Sequence, residues 1–431
     1  LEFGLPRGMR DILPEEFESA EIIRSAFLDT SRLFDYKIME PSPLELVETL
    51  EAKSGPSIRD EIYFFKDKSQ RELGLRFDLT LGLTRYVSSR KDLSPPIRVG
   101  SFASVWRYEE PQYGKYRWFY QWDAELFGHP KDVEADAEVI EFSSTIFRKI
   151  GAKPKILIGS RRVIEEFVRK ELQIVDENKI LDILRAIDKL SKKSISQIAE
   201  EYSNSFSLQD FNKVVKFVRT EGKAPSSSSD LYGLSGDNKV DLSGVLEIID
   251  SLKARGVQDV EIDLSIARGL DYYTDMVFEA IDSKDTKVGS LCGGGRYDSL
   301  PPLYGRPDLG ATGVAGGIER AILAIGSKSL SQNFQGRKKA FVAPVGDKKE
   351  IVREAASAAA ELRRNDIPAQ SEITGKSLRK ILEAQSGSGV EAIVLIGERE
   401  FTSRSVKIKW MKEGKEETVK REDLVRVLKS A

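Results

Sequence analysis

The chain has 431 residues, 40% hydrophobic and 32% charged, with a net charge of −2. That length allows about two to four domains with a sizeable core, and no apolar run approaches the roughly 20 residues of a membrane span. With one cysteine and one histidine in the chain, a disulfide framework, Cys/His zinc sites and most Ser–His–Asp or Cys–His machinery lack their parts. Any chemistry must run on arginines, carboxylates, amides and groups of the substrate.

From the N-terminus, LEFG reads as a processing or cloning remnant, and no basic-then-apolar secretory segment follows it. After the turn-rich GMRDILP, residues 15–36 carry Ile22, Ile23, Ala26, Phe27, Leu33 and Phe34 at helical spacing. Residues 60–86 look like strands on either side of a polar turn at Lys68–Arg71. In that reading Arg76, Asp78 and Thr80 share one face.

The stretch RYEEPQYGKYRWFYQWDAELFG, 107–128, reads as an aromatic-rich hairpin. On its second strand Tyr120, Trp122, Ala124 and Leu126 fall on one face, and Phe119, Gln121, Asp123 and Glu125 on the other. Arg107 and Glu109 project from the first strand. A guanidinium suits phosphate oxygens and an aromatic face suits a purine. Patterning leaves two readings open: a solvated amphipathic hairpin, or a floor covered by a ligand. His129, alone before a proline, reads as a surface or capping residue.

A helix is predicted over about 131–149, then the short strand PKILIG, then a nearly all-helical region over 160–255 broken by PSSSSD. Strand texture returns at 259–281, where Arg268, Asp271 and Tyr273 repeat the polar-face trend. LCGGGRYD follows and reads as a glycine loop in which Cys292 is a small residue. It fits neither phosphate-loop nor dinucleotide spacing. GATGVAGGIERAILAI then runs from small residues into a helix carrying Arg320.

The expected organisation is thus a sheet domain, 1–325, interrupted by a helical insertion at 160–255. A linker at 326–337 precedes a compact α/β module with a mixed sheet at 338–431. That module holds 20 Lys and Arg against 15 Asp and Glu, net +5, leaving −7 for the rest. A mildly basic module on an acidic body hints at a polyanionic partner. A single cysteine favours a reducing compartment, taken as cytoplasmic.

Taken together, these stretches resemble the histidyl-tRNA synthetase family, class II aminoacyl-tRNA synthetases, over nearly the whole chain. GMRDILPEE is similar to the family's opening, the hairpin with Arg107 to class II motif 2, and GVAGGIERAIL with Arg320 to motif 3. ARGLDYYTDMVFE and CGGGRYD resemble the two histidine-specific motifs and narrow the match. Motif 1 is less regular: MEPSPLELVETLEAKSG offers Pro41 and Pro43, and its proline stays unassigned. The family stretch usually reads YYTGMVFE, whereas Asp275 stands at the glycine here, so a local loop change is expected.

The resemblance implies an α+β fold: an antiparallel-sheet catalytic domain with a helical insertion, plus a C-terminal anticodon-binding domain, acting as a homodimer. Arg107 would hold the ATP α-phosphate and the substrate carboxylate, Glu109 would sit at the adenine, Phe119 would stack on it, and Arg320 would grip the γ-phosphate. Asp78, Thr80 and Gln121 would hold the histidine amino group. Glu125 and Tyr273, with Tyr272 and Tyr297 nearby, would read the imidazole, and Arg268 would be the catalytic arginine beside the α-phosphate. ATP is then a substrate, Mg²⁺ comes with it, and tRNA receives the histidine. The rivals are the regulatory subunit of ATP phosphoribosyltransferase, which typically lacks the anticodon domain, and a class II synthetase for proline, threonine or glycine. A threonine enzyme should bring zinc ligands, which one His and one Cys cannot supply.

Overall fold

The aromatic alternation along residues 118–128 builds the centre of the first unit. The structure is a computed structural model and describes residues 4–430 apart from 55, 109, 111–113, 129–132, 192, 220–239, 267–272, 283–287, 328, 331–339 and 387, and apart from the side chains of 52–57 and 191. His129, Glu109, Arg268, Asp271, Tyr272 and most of the expected linker therefore lie outside the described residues. The chain separates into two units, Leu1–Phe334 and Gln335–Ala431.

In the first unit the strands are β1 (Lys37–Ile38), β2 (Leu44–Leu46), β3 (Phe64–Lys66), β4 (Glu72–Leu75), β5 (Ile97–Trp106), β6 (Trp118–Gly128), β7 (Lys155–Ser160), β8 (Val260–Ile262), β9 (Met276–Ile281), β10 (Ser290–Arg296) and β11 (Gly310–Gly317). Eight of them form one sheet in the order β1-β5-β6-β11-β10-β9-β7-β8. Its central pairings are antiparallel, and β1–β5 and β7–β8 at the two edges are parallel. Strands β2, β4 and β3 form a small antiparallel sheet.

Period-two alternation decides what each face of β6 meets. Trp122, Ala124 and Leu126 enter a core with Phe27 of the helix Pro14–Leu33 and Phe142 of the helix Val133–Lys149. Phe27 and Trp122 lie 6.1 Å apart, and Phe142 meets Phe27 edge-on at 6.0 Å. On the opposite face, Phe127 packs with Leu81, Leu83 and Val87 of the helix Thr80–Ser89 and with Tyr297. So the polar face is covered by protein as well. Gln121, Asp123 and Glu125 are all buried.

Two expectations are overturned. Residues 76–80 are not strand: β4 ends at Leu75, and Thr80 opens a helix. Arg76 leaves the strand pattern because its buried guanidinium donates to the carbonyls of Ser104 (2.8 Å) and Pro41 (2.5 Å) and to Glu40 (2.9 Å). Three backbone and side-chain acceptors from other segments outweigh local alternation. The glycine run 293–295 is not a loop either but the middle of β10, between β9 and β11. Two of its glycines are demanded by crowding: a Cβ on Gly294 would lie 2.1 Å from the carbonyl oxygen of Gly313 and 2.8 Å from the Phe278 ring, and one on Gly295 would lie 2.3 Å from the Met276 carbonyl oxygen. Cys292 is buried in the same strand, where burial pushes its thiol up to about 12, far from a reactive thiolate.

The region predicted as helical carries five α-helices among its described residues, and the PSSSSD stretch lies outside them. Helices Arg161–Glu171, Glu177–Asp188, Ile195–Glu201, Leu208–Val218 and Ser243–Ala254 lie in the chain between β7 and β8. Their apolar faces, Val163, Phe167, Ile183, Phe211 and Val214 among them, join the same core as Trp122, and Phe167 stacks on Phe217 at 4.0 Å.

The second unit carries β12 (Ala340–Pro344), β13 (Ala369–Ser371), β14 (Ala392–Ile396), β15 (Ser405–Trp410) and β16 (Glu416–Lys420) in the order β13-β12-β14-β15-β16. The sheet is mixed: β12 runs parallel to β13 and β14, and the β14–β15 and β15–β16 pairs are antiparallel. Alternation along β12 sends Val342 to a core with the helices Lys349–Arg364 and Leu424–Ser430. Phe341 goes to another core with Ile381 of the helix Leu378–Gln385. Both faces are therefore covered, as nearly continuous apolar runs such as AIVLI require.

Candidate active site

The polar row of β6 is wired as a chain of hydrogen bonds. Arg107, half-buried at the end of β5, donates from Nε to the Phe77 carbonyl (2.9 Å) and from Nη2 to Gln121 Oε1 (3.3 Å). Its guanidinium lies 5.2 Å from the centre of the Phe119 ring. Gln121 Nε2 donates to Asp123 Oδ1 (2.7 Å), and Thr80 Oγ1 donates to Asp123 Oδ2 (3.1 Å). Asp78 accepts from the backbone N–H of Leu81 (3.2 Å) and thereby holds the first turn of the helix that carries Thr80. Gln121 and Thr80 thus meet at one buried carboxylate, Arg107 joins them through Gln121, and Phe119 lies against Arg107.

That carboxylate, Asp123, has no exposure at all, and the sequence reading gave it no role. The signal was present, since Asp123 falls between Gln121 and Glu125 in the two-residue period. It fixes the amide of Gln121, so that Oε1 is turned toward Arg107.

Farther along the same face, Glu125 is 1% exposed, and the Tyr297 hydroxyl donates to it. Tyr297 is itself buried, so its nearest role is to orient the carboxylate. Room for Glu125 comes from Gly313, its neighbour on β11. A Cβ there would lie 1.5 Å from Glu125 Oε2. Tyr273 is half-buried and packs against the clusters on both faces of the sheet.

Behind Tyr297 the backbone is held by a buried ion pair. Arg296 Nε donates to Asp136 Oδ2 (3.1 Å), with Nη2 2.9 Å from Oδ1. Burial pushes the Asp136 carboxyl up to about 6 even with Arg296 beside it, which leaves the pair ionised at neutral pH.

The third group surrounds Arg320 on the helix Ile318–Ile325. Arg320 donates to the Ser290 carbonyl (3.0 Å) and lies 3.4 Å from that of Gly114 in the hairpin turn. It therefore ties β10 to the hairpin rather than pointing at water. Its neighbour Glu319 is buried and accepts from the backbone N–H of Tyr120 (3.0 Å), with Arg10 3.6 Å away. Arg10 in turn lies 4.0 Å over the Tyr116 ring and pairs with Glu16, so the GMRDILP segment is bound to this corner. Among the described residues, no group of three or more His, Cys, Asp or Glu could hold a metal ion, and no helix is long and apolar enough to cross a membrane.

Burial raises the Glu319 carboxyl to about 7, against the pull of the Tyr120 N–H and Arg10. With its folded pKa above its unfolded one, Glu319 contributes stability that is fully present below about pH 4.5 and lost as pH rises through about 7. Urea midpoints should therefore fall between about pH 5 and pH 8, and Glu319→Gln should flatten that fall. Equal slopes for parent and variant would show that Glu319 does not take up the proton.

The profile of the histidyl-tRNA synthetase family matches residues 8–321, and that of the anticodon binding domain matches 339–431. The chain is 34% identical to the histidine–tRNA ligase of Thermococcus kodakarensis over 427 residues, 97% of this chain and 96% of the relative. It is 33% identical to that of Thermoplasma volcanium over 99% of this chain and 98% of the relative. Its fold is similar to the crystal structure of histidyl-tRNA synthetase from Nostoc sp. PCC 7120, with a TM-score of 0.82 at 24% identity over 100% of this chain and 99% of that one. A protein from Bacillus halodurans described as an ATP phosphoribosyltransferase regulatory subunit/histidyl-tRNA synthetase gives 0.74 at 24% identity, over 92% of this chain and 98% of that one. By sequence over nearly its full length, and in both of its units, the chain belongs to the histidyl-tRNA synthetase family.

Proposed function

We propose that the chain charges tRNA with histidine in two steps. Histidine and ATP first form histidyl-adenylate and diphosphate, and the terminal adenosine hydroxyl of tRNA then takes the histidyl group. The observation that carries the reading is the buried polar row of β6, which is met by a guanidinium beside an aromatic ring at one end and holds a buried carboxylate bonded to a tyrosine hydroxyl at the other.

In adenylation the nucleophile is the substrate's own carboxylate. It attacks the α-phosphorus in line, and the bond to the leaving diphosphate breaks. The protein needs no nucleophile, only positioning and positive charge where negative charge spreads. Arg107 would bridge the histidine carboxylate and the α-phosphate, its orientation held by the Phe77 carbonyl and Gln121. Phe119 would stack on adenine with Glu109 at its edge, and Arg320 would bind the γ-phosphate. Asp78, Thr80 and Gln121 would take the ammonium group. Glu125, oriented by Tyr297, would accept an imidazole N–H, with Tyr273 and Tyr272 alongside and Arg268 at the α-phosphate. Mg²⁺ would arrive as the counter-ion of the ATP phosphates and neutralise their charge.

The second unit would contact the anticodon, consistent with its net positive charge, and the working form would be a cytoplasmic homodimer. A regulatory role alone leaves that unit without an explanation.

Diphosphate exchange measured with each of the twenty amino acids should be supported by histidine and not by the others. A chain ended after Gly336 should keep part of that exchange, because the first unit has its own cores. It should charge tRNA poorly, since phosphate contacts dominate nucleic-acid affinity. Absence of exchange with any amino acid would refute the enzyme reading, and undiminished charging by the shortened chain would refute the role of the second unit.

A further inference from the structure

We propose that Ser160, Arg161 and Asp275 form a clasp that sets the position of Tyr273, making the start of the helical region a positioning element of the histidine pocket. The proposal rests on the reading that Tyr273 contacts the imidazole.

Four contacts from three consecutive residues, Ser160, Arg161 and Arg162, converge on Tyr273 and Asp275. The Arg161 guanidinium donates from Nη1 to the Tyr273 carbonyl (3.0 Å), and the Arg161 backbone N–H donates to the Asp275 carbonyl (2.9 Å). The Ser160 hydroxyl donates to Asp275 Oδ1 (2.6 Å), and Arg162 Nε lies 3.1 Å from Asp275 Oδ2. Arg161 is braced from its own helix by Glu165 (2.6 Å). On the other side, Thr274 donates to the Arg296 carbonyl through its backbone N–H (2.7 Å), so the segment is gripped between β10 and the helix Arg161–Glu171.

Asp275 is well placed for this. Ser160 is the N-cap of that helix and also accepts from the Val163 N–H, so its hydroxyl hydrogen is directed outward, to the Asp275 carboxylate. The carboxylate thus sits at a helix N-terminus, where backbone N–H groups favour negative charge. Glycine, the residue usual at this position in the resembling family stretch, would keep the backbone bond and lose both side-chain contacts. The exchange of Gly for Asp therefore ties Tyr273 more firmly to the helical region in this chain. Any displacement of that helix is then felt at Tyr273, two residues from the carboxylate that accepts from the N-cap hydroxyl.

The test is steady-state diphosphate exchange by the full chain with histidine and ATP varied separately. Asp275→Gly and Arg161→Met should each raise the KM for histidine about five- to thirtyfold and leave the KM for ATP within about twofold. Asp275→Asn keeps an acceptor for Ser160 and should recover most of the loss. The double variant Arg161→Met/Asp275→Gly should lose less than the product of the single effects, as groups acting in one network do. A lowered melting temperature with an unchanged histidine KM would reduce the clasp to a helix cap and overturn the proposal. Tyr273→Phe separates the underlying reading. If it leaves the histidine KM unmoved, the pocket reading fails and takes the clasp with it. If Tyr273→Phe raises that KM and the clasp variants do not, the clasp alone is wrong.

Discussion

Arg107→Ala should lower kcat/KM for histidine-dependent diphosphate exchange by about 10²–10³. The guanidinium is held in place from below by the Phe77 carbonyl and from the side by Gln121, and its face lies over Phe119. These contacts use Nε and one Nη2 hydrogen, so the remaining N–H groups of the fork can turn to phosphate and carboxylate oxygens. Alanine removes that charge and also leaves the Gln121 amide and the Phe77 carbonyl without this donor. Arg107→Lys restores the charge without the planar fork and should recover only part of the loss. The loss should appear in kcat as well as in both KM values, because the group is proposed to meet both substrates as they react. A variant within about threefold of the parent would remove Arg107 from the mechanism.

Glu125→Gln should lower kcat/KM for histidine by about 10² and leave the KM for ATP nearly unchanged. The carboxylate is buried, oriented by the Tyr297 hydroxyl and faced by the bare backbone of Gly313, so little is free to compensate. Glutamine keeps the volume and one oxygen but replaces the second acceptor with a donor pair. If the imidazole N–H is bound by a charged acceptor, its loss is worth about 1.5–3 kcal/mol, in line with the expected fold-change at about 1.4 kcal/mol per tenfold. An apolar ring of histidine's size would offer the same buried carboxylate no N–H, which is how such a site rejects analogues. Exchange kinetics on Glu125→Gln with the two substrates varied separately decide the matter. A loss confined to the ATP term, or no loss, would show that Glu125 does not read the imidazole.

Much of this arrangement was legible in the sequence because it depends on local periodicity. The alternation in WFYQWDAELFG puts Gln121, Asp123 and Glu125 on one face, and β6 keeps that register across ten pairings with β5. Helical spacing in the Arg161–Glu171 and Leu208–Val218 segments, and the strand–helix alternation of the second unit, are likewise properties of short windows.

Other features were set by contacts between residues far apart in the chain. Asp78 and Thr80 look like strand residues in their own window, yet they open a helix. The neighbouring Arg76 is satisfied by Pro41, Glu40 and Ser104, up to thirty-six positions away. The glycines at 293–295 resemble a loop until β9 and β11 close on both sides and leave no room for a Cβ at Gly294 and Gly295. Tyr297 meets Glu125 across 172 positions and Arg296 meets Asp136 across 160, pairings that no periodicity encodes. The sequence alone determined which residues face together along each element, because side-chain direction follows from backbone geometry within a few residues. Tertiary structure decided which faces meet and which polar groups find partners, because burying a charge or an amide is tolerable only where distant segments supply its hydrogen bonds.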